Sequence, residues 1–248
     1  MRRRIAASFC ALCLFSAGMG GATAQSRDPA YPPGLDPGGV AVAVFPEAID
    51  YTAPEIVRRL ARDGEGDVIA WDFLDSDPRP FGPTDPRIVD LLAMSDAIRL
   101  VVGRQSTADP ARAARLTAFA VRTPARILLV WDTAPNQPDW PLFSEGVTRF
   151  PDRLFVVPRR PDAVYDGVGG LANLIVAAPR GAGKPGDIEI AVGAGPDDSR
   201  AMRAASYAAT LAAIALAAQP SLSVADLKAR VQQQCARQCA VPTAAQPR

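Results

Sequence analysis

Short apolar runs alternate along the chain with segments whose apolar residues recur at helical spacing. Six mostly apolar runs predict buried strands at 40–44, 67–71, 98–102, 127–131, 154–157 and 174–178, and the run 188–192 is a seventh candidate. Helical spacing predicts helices over 53–63, 88–94, 110–121, 198–218 and 224–234. Pro220 ends the fourth of these helices, and Ser223 caps the last one.

The strand runs are continuously apolar, which is typical of strands that are buried on both faces. Their alternation with helices predicts an α/β fold, in which a doubly wound, mostly parallel sheet carries helices on both faces. The helix over 198–218 is dominated by alanine from Ala201 onward. We therefore expect this helix to lie deep in the core, where neighbouring backbones approach closely. The sequence contains no internal repeat.

The N-terminus has the pattern of a secretory signal peptide. The basic residues Arg2–Arg4 precede a short apolar stretch, 5–21, which leads to the small-residue site Ala22-Thr23-Ala24-Gln25. We expect cleavage between Ala24 and Gln25. An uncleaved membrane anchor is the alternative, which the shortness of the stretch and its Gly and Ser content disfavour.

Signal cleavage would define the composition and location of the remaining chain. Removing the first 24 of 248 residues leaves 224, and removing three of 27 Lys and Arg leaves 24 against 26 Asp and Glu. We expect a periplasmic or secreted protein with no membrane association after cleavage, since we expect no later stretch to be long and apolar enough to span a bilayer. A lipoprotein signal at Cys10 or Cys13 is disfavoured because bulky Phe9 and Leu12 precede these residues.

The composition excludes several classes of function. The chain is 48% hydrophobic and 21% charged with a formal charge of +1, and its isoelectric point of about 7.6 gives no basic field for nucleic acid. It contains no histidine. Catalysis by Ser-His-Asp or Cys-His and His-ligated zinc or iron are therefore excluded, and a general base would need a carboxylate, lysine or thiol of shifted pKa. We expect no cofactor, no metal and no nucleic-acid partner.

Two cysteines remain after signal cleavage, Cys235 and Cys239. Export favours a disulfide between them. Residues i and i+4 of a regular helix do not easily close a bridge, so a bond would mark a helix end or a turn. An intermolecular link is the alternative, and two thiolates are too few for a closed zinc site.

Two clusters of charged residues have simple interpretations. Asp72, Asp75 and Asp77 offer the oxygen ligands that calcium prefers, but the rest of a binding loop is missing, which favours a solvated acidic turn. Arg159–Arg160 together with Arg153 predict a local basic patch. Such a patch is usually a solvated loop, and less often it binds an acidic partner.

Several segments resemble, in order, the subtilisin-like serine proteases, or subtilases. The run Ala204–Ala213, followed by Gln219–Ser223 and a second helix, resembles the alanine-rich helix that a G-T-S-x-A-A-P-H run opens in that family. Val42–Ile56 resembles the family's first strand, V-A-V-I-D-T-G-I-D-Y-T-H-P. Later strands and an A-P-G-x-x-I turn resemble 71–78, 97–102, 155–157, 173–178 and 185–188. The resemblance covers about residues 40–234 and implies a subtilisin-like fold.

The resemblance also implies where the chemistry of acyl transfer would lie. That chemistry needs a nucleophilic Ser, a His base, an orienting Asp and an Asn that binds the oxyanion. Pro46 stands at the Asp position, Asp85 at the His position and Pro161 at the Asn position. The S-L-G motif of the substrate strand falls near Val130–Asp132, which contains neither Ser nor Gly.

The nucleophile position has two alternative registers. Keeping the family's distance to the closing Pro220 places Met202 at the Ser position. Sliding by one helical turn places Ser206 there, with a better local match but a helix shortened by four residues. In either register, no imidazole is present to accept the proton.

The resemblance and its departures predict an exported pseudoprotease. It would comprise a signal peptide (1–24), a linker or extended arm (25–39), a subtilase-like domain (40–234) and a C-terminal tail (235–248). We expect no catalysis and a binding or scaffold role, with a peptide or protein partner in the vestigial cleft. The alternative is a divergent serine hydrolase or peptidase in which Asp85 is a carboxylate base for Ser206, similar to the sedolisins, whose S-G-T-S run is absent here.

Overall fold

Seven parallel strands form one sheet in the computed structural model, which describes residues 28–104, 111–130, 140–160, 170–238 and 240–241. The strands are β1 (Val40–Val44), β2 (Ala70–Asp72), β3 (Ile98–Arg104), β4 (Ile127–Leu129), β5 (Leu154–Pro158), β6 (Leu174–Pro179) and β7 (Ile188–Ile190). Their order is β2-β3-β1-β4-β5-β6-β7, and all neighbours are parallel. The chain therefore runs to one side of β1 for β2 and β3 and to the other side for the remaining strands.

Helices cover both faces of this sheet. They are α1 (Pro54–Val57), α2 (Pro86–Met94), α3 (Arg112–Ala120), α4 (Trp140–Arg149), α5 (Asp197–Ala218) and α6 (Val224–Gln238). Buried residues of α1, α2, α5 and α6 share one hydrophobic cluster, and those of α3 and α4 share another. The predicted doubly wound α/β fold is confirmed.

Burial on both faces explains the continuously apolar strands. In β1, Val42 and Val44 belong to the cluster that contains α5, whereas Ala41 and Ala43 belong to the cluster of α3 and α4. Successive side chains of a strand point to opposite faces, so a strand between two helix layers needs apolar residues at every position. All residues of β5 and β6 are buried accordingly.

The alanine-rich helix α5 lies in the core, as the sequence predicts. It contacts β1, β4, β5, β6 and β7 as well as α2 and α6. Its fully buried alanines have no exposed surface: Ala204, Ala205, Ala208, Ala209, Ala212 and Ala213. Because alanine side chains consist of one methyl group, the helix backbone approaches the strands closely. The position of α5 against the sheet is therefore tightly constrained.

One sequence-based expectation is wrong for α5. By length and composition it is apolar enough to cross a membrane, whereas the sequence analysis predicts no such stretch after the N-terminal segment. In its most apolar stretch of 18 residues, 72% is buried inside the protein. Burial against the sheet accounts for the apolar composition.

The helix predicted over 53–63 ends at Val57, because the following residues pair with a strand. The carbonyl oxygen of Arg59 accepts a hydrogen bond of 2.7 Å from Leu100 N, and Ala61 N donates one of 2.8 Å to Leu100 O. Backbone pairing with β3 therefore prevents the helical bonds that the apolar spacing suggested.

Helix α4 is not among the predicted helices, although its sequence signals are present. Pro141 lies in the first turn, where a proline is tolerated. Phe143 and Val147 are one turn apart and are each 1% exposed. Two further helices differ at their ends, since α2 begins at Pro86 and α6 continues to Gln238.

Residues 28–39 contain no helix or strand and lie against the sheet-bearing domain. The Tyr31 hydroxyl donates a hydrogen bond of 2.5 Å to Pro78 O, and the Tyr51 hydroxyl donates one of 2.6 Å to Pro29 O. The two tyrosine rings are 4.2 Å apart between centroids and tilted by 44°, and Phe81 packs edge-on against Tyr51. Burial raises the pKa of both tyrosines, so the neutral phenols are favoured in the folded chain.

Asp36 anchors the other end of this segment. Its carboxylate accepts hydrogen bonds from Gly38 N at 2.7 Å and Arg62 N at 3.2 Å, and it forms an ion pair with Arg99. Partial burial alone would raise the pKa of Asp36. The two backbone hydrogen bonds and the charge of Arg99 outweigh burial, so the pKa lies below its ordinary value.

The close approach of α5 to the sheet predicts sensitivity to larger side chains. We expect Ala208→Leu to lower the free energy of unfolding by about 1–3 kcal/mol, because the added methyl groups have no space. Ala218 is exposed, so Ala218→Leu serves as the matched control and should change the free energy of unfolding by less than about 0.5 kcal/mol. Chemical denaturation measures both free energies of unfolding, and an Ala208→Leu variant as stable as the wild type would contradict this close packing.

The lowered pKa of Asp36 predicts a pH dependence. Its stabilising contribution is complete above the pKa of the unfolded chain and is lost as pH falls through the lower pKa of the folded chain. We expect Asp36→Asn to be less stable than the wild type at neutral pH, with the difference shrinking toward about pH 3. Urea titrations at both pH values test this expectation. A stability difference between the variant and the wild type that does not depend on pH would contradict a stabilising role of the ionised carboxylate.

Candidate functional site

Three segments meet at the carboxyl edge of the sheet: the loop after β1, the start of α2 and the first turns of α5. The backbone N of Asp85 donates a hydrogen bond of 3.3 Å to the carbonyl of Ala48, two residues beyond Pro46. Pro86 at the start of α2 and Met202 in the second turn of α5 line the same cavity. In parallel α/β sheets, ligands bind outside this edge.

A cavity of about 250 Å³ lies between α2 and α5, and we call it the α2–α5 cavity. It is lined by Pro86, Arg87, Asp90, Asp198, Ser199, Met202, Arg203 and Ser206. The two alternative nucleophile positions, Met202 and Ser206, both line it, because residues i and i+4 share one face of a helix. The choice between the two registers therefore stays open.

Asp85 caps α2. Its Oδ1 accepts a hydrogen bond of 2.9 Å from Arg87 N, and Pro86 occupies the first helical position, as is typical of helix starts. The Arg87 guanidinium donates to both carboxylate oxygens, from Nε at 2.9 and 2.8 Å and from Nη2 at 2.5 Å. The Asp85 side chain is 7% exposed. The carboxylate at the expected histidine position is thus already engaged by a helix end and a cation.

Ser206 is nearly inaccessible, with 2% of its surface exposed. Its carbonyl oxygen accepts a hydrogen bond of 2.9 Å from Thr210 Oγ1. Its hydroxyl forms no hydrogen bond with any part of the chain that the structure describes. A serine nucleophile needs a base within hydrogen-bonding distance, and among the described residues none contacts this hydroxyl.

Pro46 is buried in the loop after β1 and offers no side-chain acceptor. The carbonyl of the next residue, Glu47, accepts a hydrogen bond of 2.8 Å from Arg104 Nε. Arg104 Nη1 also binds Asp72 Oδ2 at 2.7 Å and Asp75 Oδ2 at 3.3 Å. Arg104 therefore connects the loop after β1 to the turn after β2.

The prediction of a solvated acidic turn is wrong for Asp72, which has no exposed surface. Besides Arg104, it accepts hydrogen bonds from Leu74 N at 2.7 Å and Asp75 N at 3.2 Å. Oxygen atoms of Asp28, Asp72 and Asp75 lie within 4.8 Å of one another. Because the Arg104 guanidinium already binds two of these carboxylates, we assign no metal site to the cluster.

The basic patch predicted from Arg153 and Arg159–Arg160 is wrong, since these residues lie at opposite ends of β5. Arg153 precedes the strand and pairs with Asp152 at 2.6 Å. Arg159 follows β5 and forms a bidentate ion pair with Asp187, with Nε–Oδ2 at 2.6 Å and Nη2–Oδ1 at 2.5 Å. These two side chains are 7% and 1% exposed, so the ion pair is buried.

Some predicted positions lie outside the described residues: Ala24, Gln25, Trp131, Asp132, Pro161 and Cys239. Cys235, in the last turn of α6, is disulfide-bonded. Two residues that line the α2–α5 cavity, Arg87 and Arg203, are not among the predicted site residues. The Asp85-Pro86 pair, a typical helix start, was the signal that could have placed Arg87 there.

Comparison with known proteins supports the fold. No protein-family model and no curated protein matches the chain. Among solved structures, the crystal structure of a cold adapted subtilisin-like serine proteinase is similar, with a TM-score of 0.56 and 12% sequence identity over 82% of this chain and 84% of that chain. At this identity the similarity is evidence for the fold alone. The chain therefore has a subtilisin-like α/β fold.

The geometry of Asp85 predicts that it acts as a helix cap. We expect Asp85→Ala to lower the free energy of unfolding by about 1 kcal/mol, because it removes the acceptor for Arg87 N. Asp85→Asn retains a capping oxygen and should cost clearly less. Urea denaturation of both variants measures the difference, and equal stability of Asp85→Ala and the wild type would refute the capping role.

Proposed function

We propose that the chain is an exported, non-catalytic protein of subtilisin-like fold that binds a peptide or protein partner at the carboxyl edge of its sheet. The site of action would be the periplasm or the exterior of the cell. The secretory pattern of residues 1–24 supports export. The fold and the α2–α5 cavity support a retained cleft.

The observation that carries the loss of catalysis is the absence of a proton acceptor for Ser206. The whole sequence has no histidine, and the Ser206 hydroxyl contacts no base among the described residues. The Asp85 carboxylate is bound to Arg87, which occupies the lone pairs that a base would use. Without a base, serine remains a weak nucleophile.

The other expected catalytic positions strengthen this proposal. Pro46 has no carboxylate to orient a base, and Pro161 has no amide to bind an oxyanion. Loss of one triad member removes most of the rate acceleration. The acceleration that remains in such variants comes from the oxyanion hole and substrate binding. Loss of the oxyanion donor as well removes that remaining contribution.

A binding role needs an accessible groove but no proton transfer. The α2–α5 cavity lies where ligands bind in parallel α/β folds. Its lining combines apolar Pro86 and Met202 with the charged Arg203 and Asp198, which suits a peptide better than a wholly apolar ligand. Extended peptides bind such grooves through both backbone and side-chain contacts.

Labelling with a fluorophosphonate, which modifies activated serines, tests the loss of catalysis. We expect no labelling of the purified protein above background between about pH 4 and about pH 9, because Ser206 is buried and has no base. Mass spectrometry of the intact protein detects the adduct, and an active serine protease confirms that the reagent works.

Two variants make the result specific. Ser206→Ala removes the alternative nucleophile, and Ser199→Ala removes an exposed serine that lines the same cavity. The divergent hydrolase with Asp85 as base would be established instead if labelling disappeared in Ser206→Ala and persisted in Ser199→Ala. The Ser206→Ala substitution must also leave the thermal stability of the protein unchanged.

A further inference from the structure

A second cavity, of about 180 Å³, lies at the same edge on the β5–β6 side of α5. We call it the Arg160 cavity. Its charged lining residues are Arg159, Arg160, Lys184 and Asp197, and Ala201 of α5 also contributes to its wall. Residues 198, 202 and 206 of α5 face the α2–α5 cavity instead. The first turns of α5 therefore separate two neighbouring cavities.

The Arg160 cavity carries an excess of positive charge. The buried pair with Asp187 neutralises Arg159. Asp197 has its own partner, because Arg200 Nη1 lies 3.4 Å from its Oδ1. The two remaining cations, Arg160 and Lys184, form no ion pair with the part of the chain that the structure describes. An anion entering the cavity would therefore meet two uncompensated cations.

Arg160 also has hydrogen-bonding capacity that the described residues do not use. Its Nε is buried and has no hydrogen-bond partner, and its guanidinium makes no hydrogen bond with the described residues. A buried donor without a partner is costly, so a ligand that accepts hydrogen bonds would be favoured at this position. A carboxylate matches the planar fork of a guanidinium with two parallel bonds.

The loop that carries Lys184 is fixed by acidic side chains. Asp187 Oδ2 accepts a hydrogen bond of 2.9 Å from Lys184 N, and Glu189 Oε1 accepts one of 3.0 Å from Gly183 N. Asp187 is in turn held by Arg159. The ammonium group thus projects from an ordered backbone, which reduces the entropy that ligand binding would cost.

We propose that the Arg160 cavity is a carboxylate-binding subsite, in which Arg160 and Lys184 hold an acidic side chain of the peptide partner. This inference rests on the proposed binding function and specifies its ligand. The α2–α5 cavity is less selective for charge, because its lining holds two arginines and two aspartates and so has no excess of either charge. The acidic group of a ligand is therefore directed to the Arg160 cavity.

Calorimetric titration with a hexaglutamate peptide and, separately, with free glutarate tests this proposal. We expect binding that weakens with added salt. The double variant Arg160→Gln/Lys184→Gln should weaken it at least about tenfold, since it removes charge-assisted hydrogen bonds. Arg58→Gln, which neutralises an exposed arginine at the end of α1, is the matched control and should bind as the wild type does.

The two probes distinguish the sources of the carboxylate. Binding of hexaglutamate alone assigns the subsite to acidic peptides, and equal binding of glutarate assigns it to small carboxylates; both support the subsite if the double variant loses binding. Absence of binding by both probes, or binding that the double variant retains while remaining folded, would overturn it. Fluorophosphonate labelling at Ser206 would overturn the non-catalytic function separately.

Discussion

The close packing of α5 against the parallel sheet is the constraint on which the candidate site depends. Fully buried alanines such as Ala208 and Ala212 let the helix approach the strands, and this contact leaves little freedom to shift or rotate. The first turns of α5 are thereby held at the carboxyl edge, beside the start of α2. Both cavities lie against these turns, so the same packing that stabilises the fold also creates the cleft.

The residues at this edge have structural partners that would compete with catalysis. Asp85 caps α2 and binds Arg87, Asp72 is buried against Arg104, and Arg159 is buried against Asp187. Breaking a buried ion pair by removing one partner costs about 3–5 kcal/mol, because the other charge stays buried. Under the proposed function, side chains that are already held by partners in this way form a rigid binding surface.

Much of the fold was predictable, because its signals are local. Continuously apolar runs such as 154–157 identify strands with two buried faces, and the alanine content of 198–218 identifies a deeply packed helix. Other features depend on contacts between distant segments. The pairing of Arg59–Ala61 with β3, which ends α1, and the burial of Arg159 by Asp187 have no signature in the neighbouring sequence. The nucleophile register stays undecided because Met202 and Ser206 share one helix face.

The most direct test of the central claim is a search for peptide-bond cleavage itself. The purified protein would be incubated with a complex mixture of peptides from about pH 3 to about pH 9, and the products would be sequenced by mass spectrometry. The account predicts the same peptides before and after incubation, with no difference between the wild type and Ser206→Ala. Cleavage products that the wild type forms and Ser206→Ala does not would contradict it.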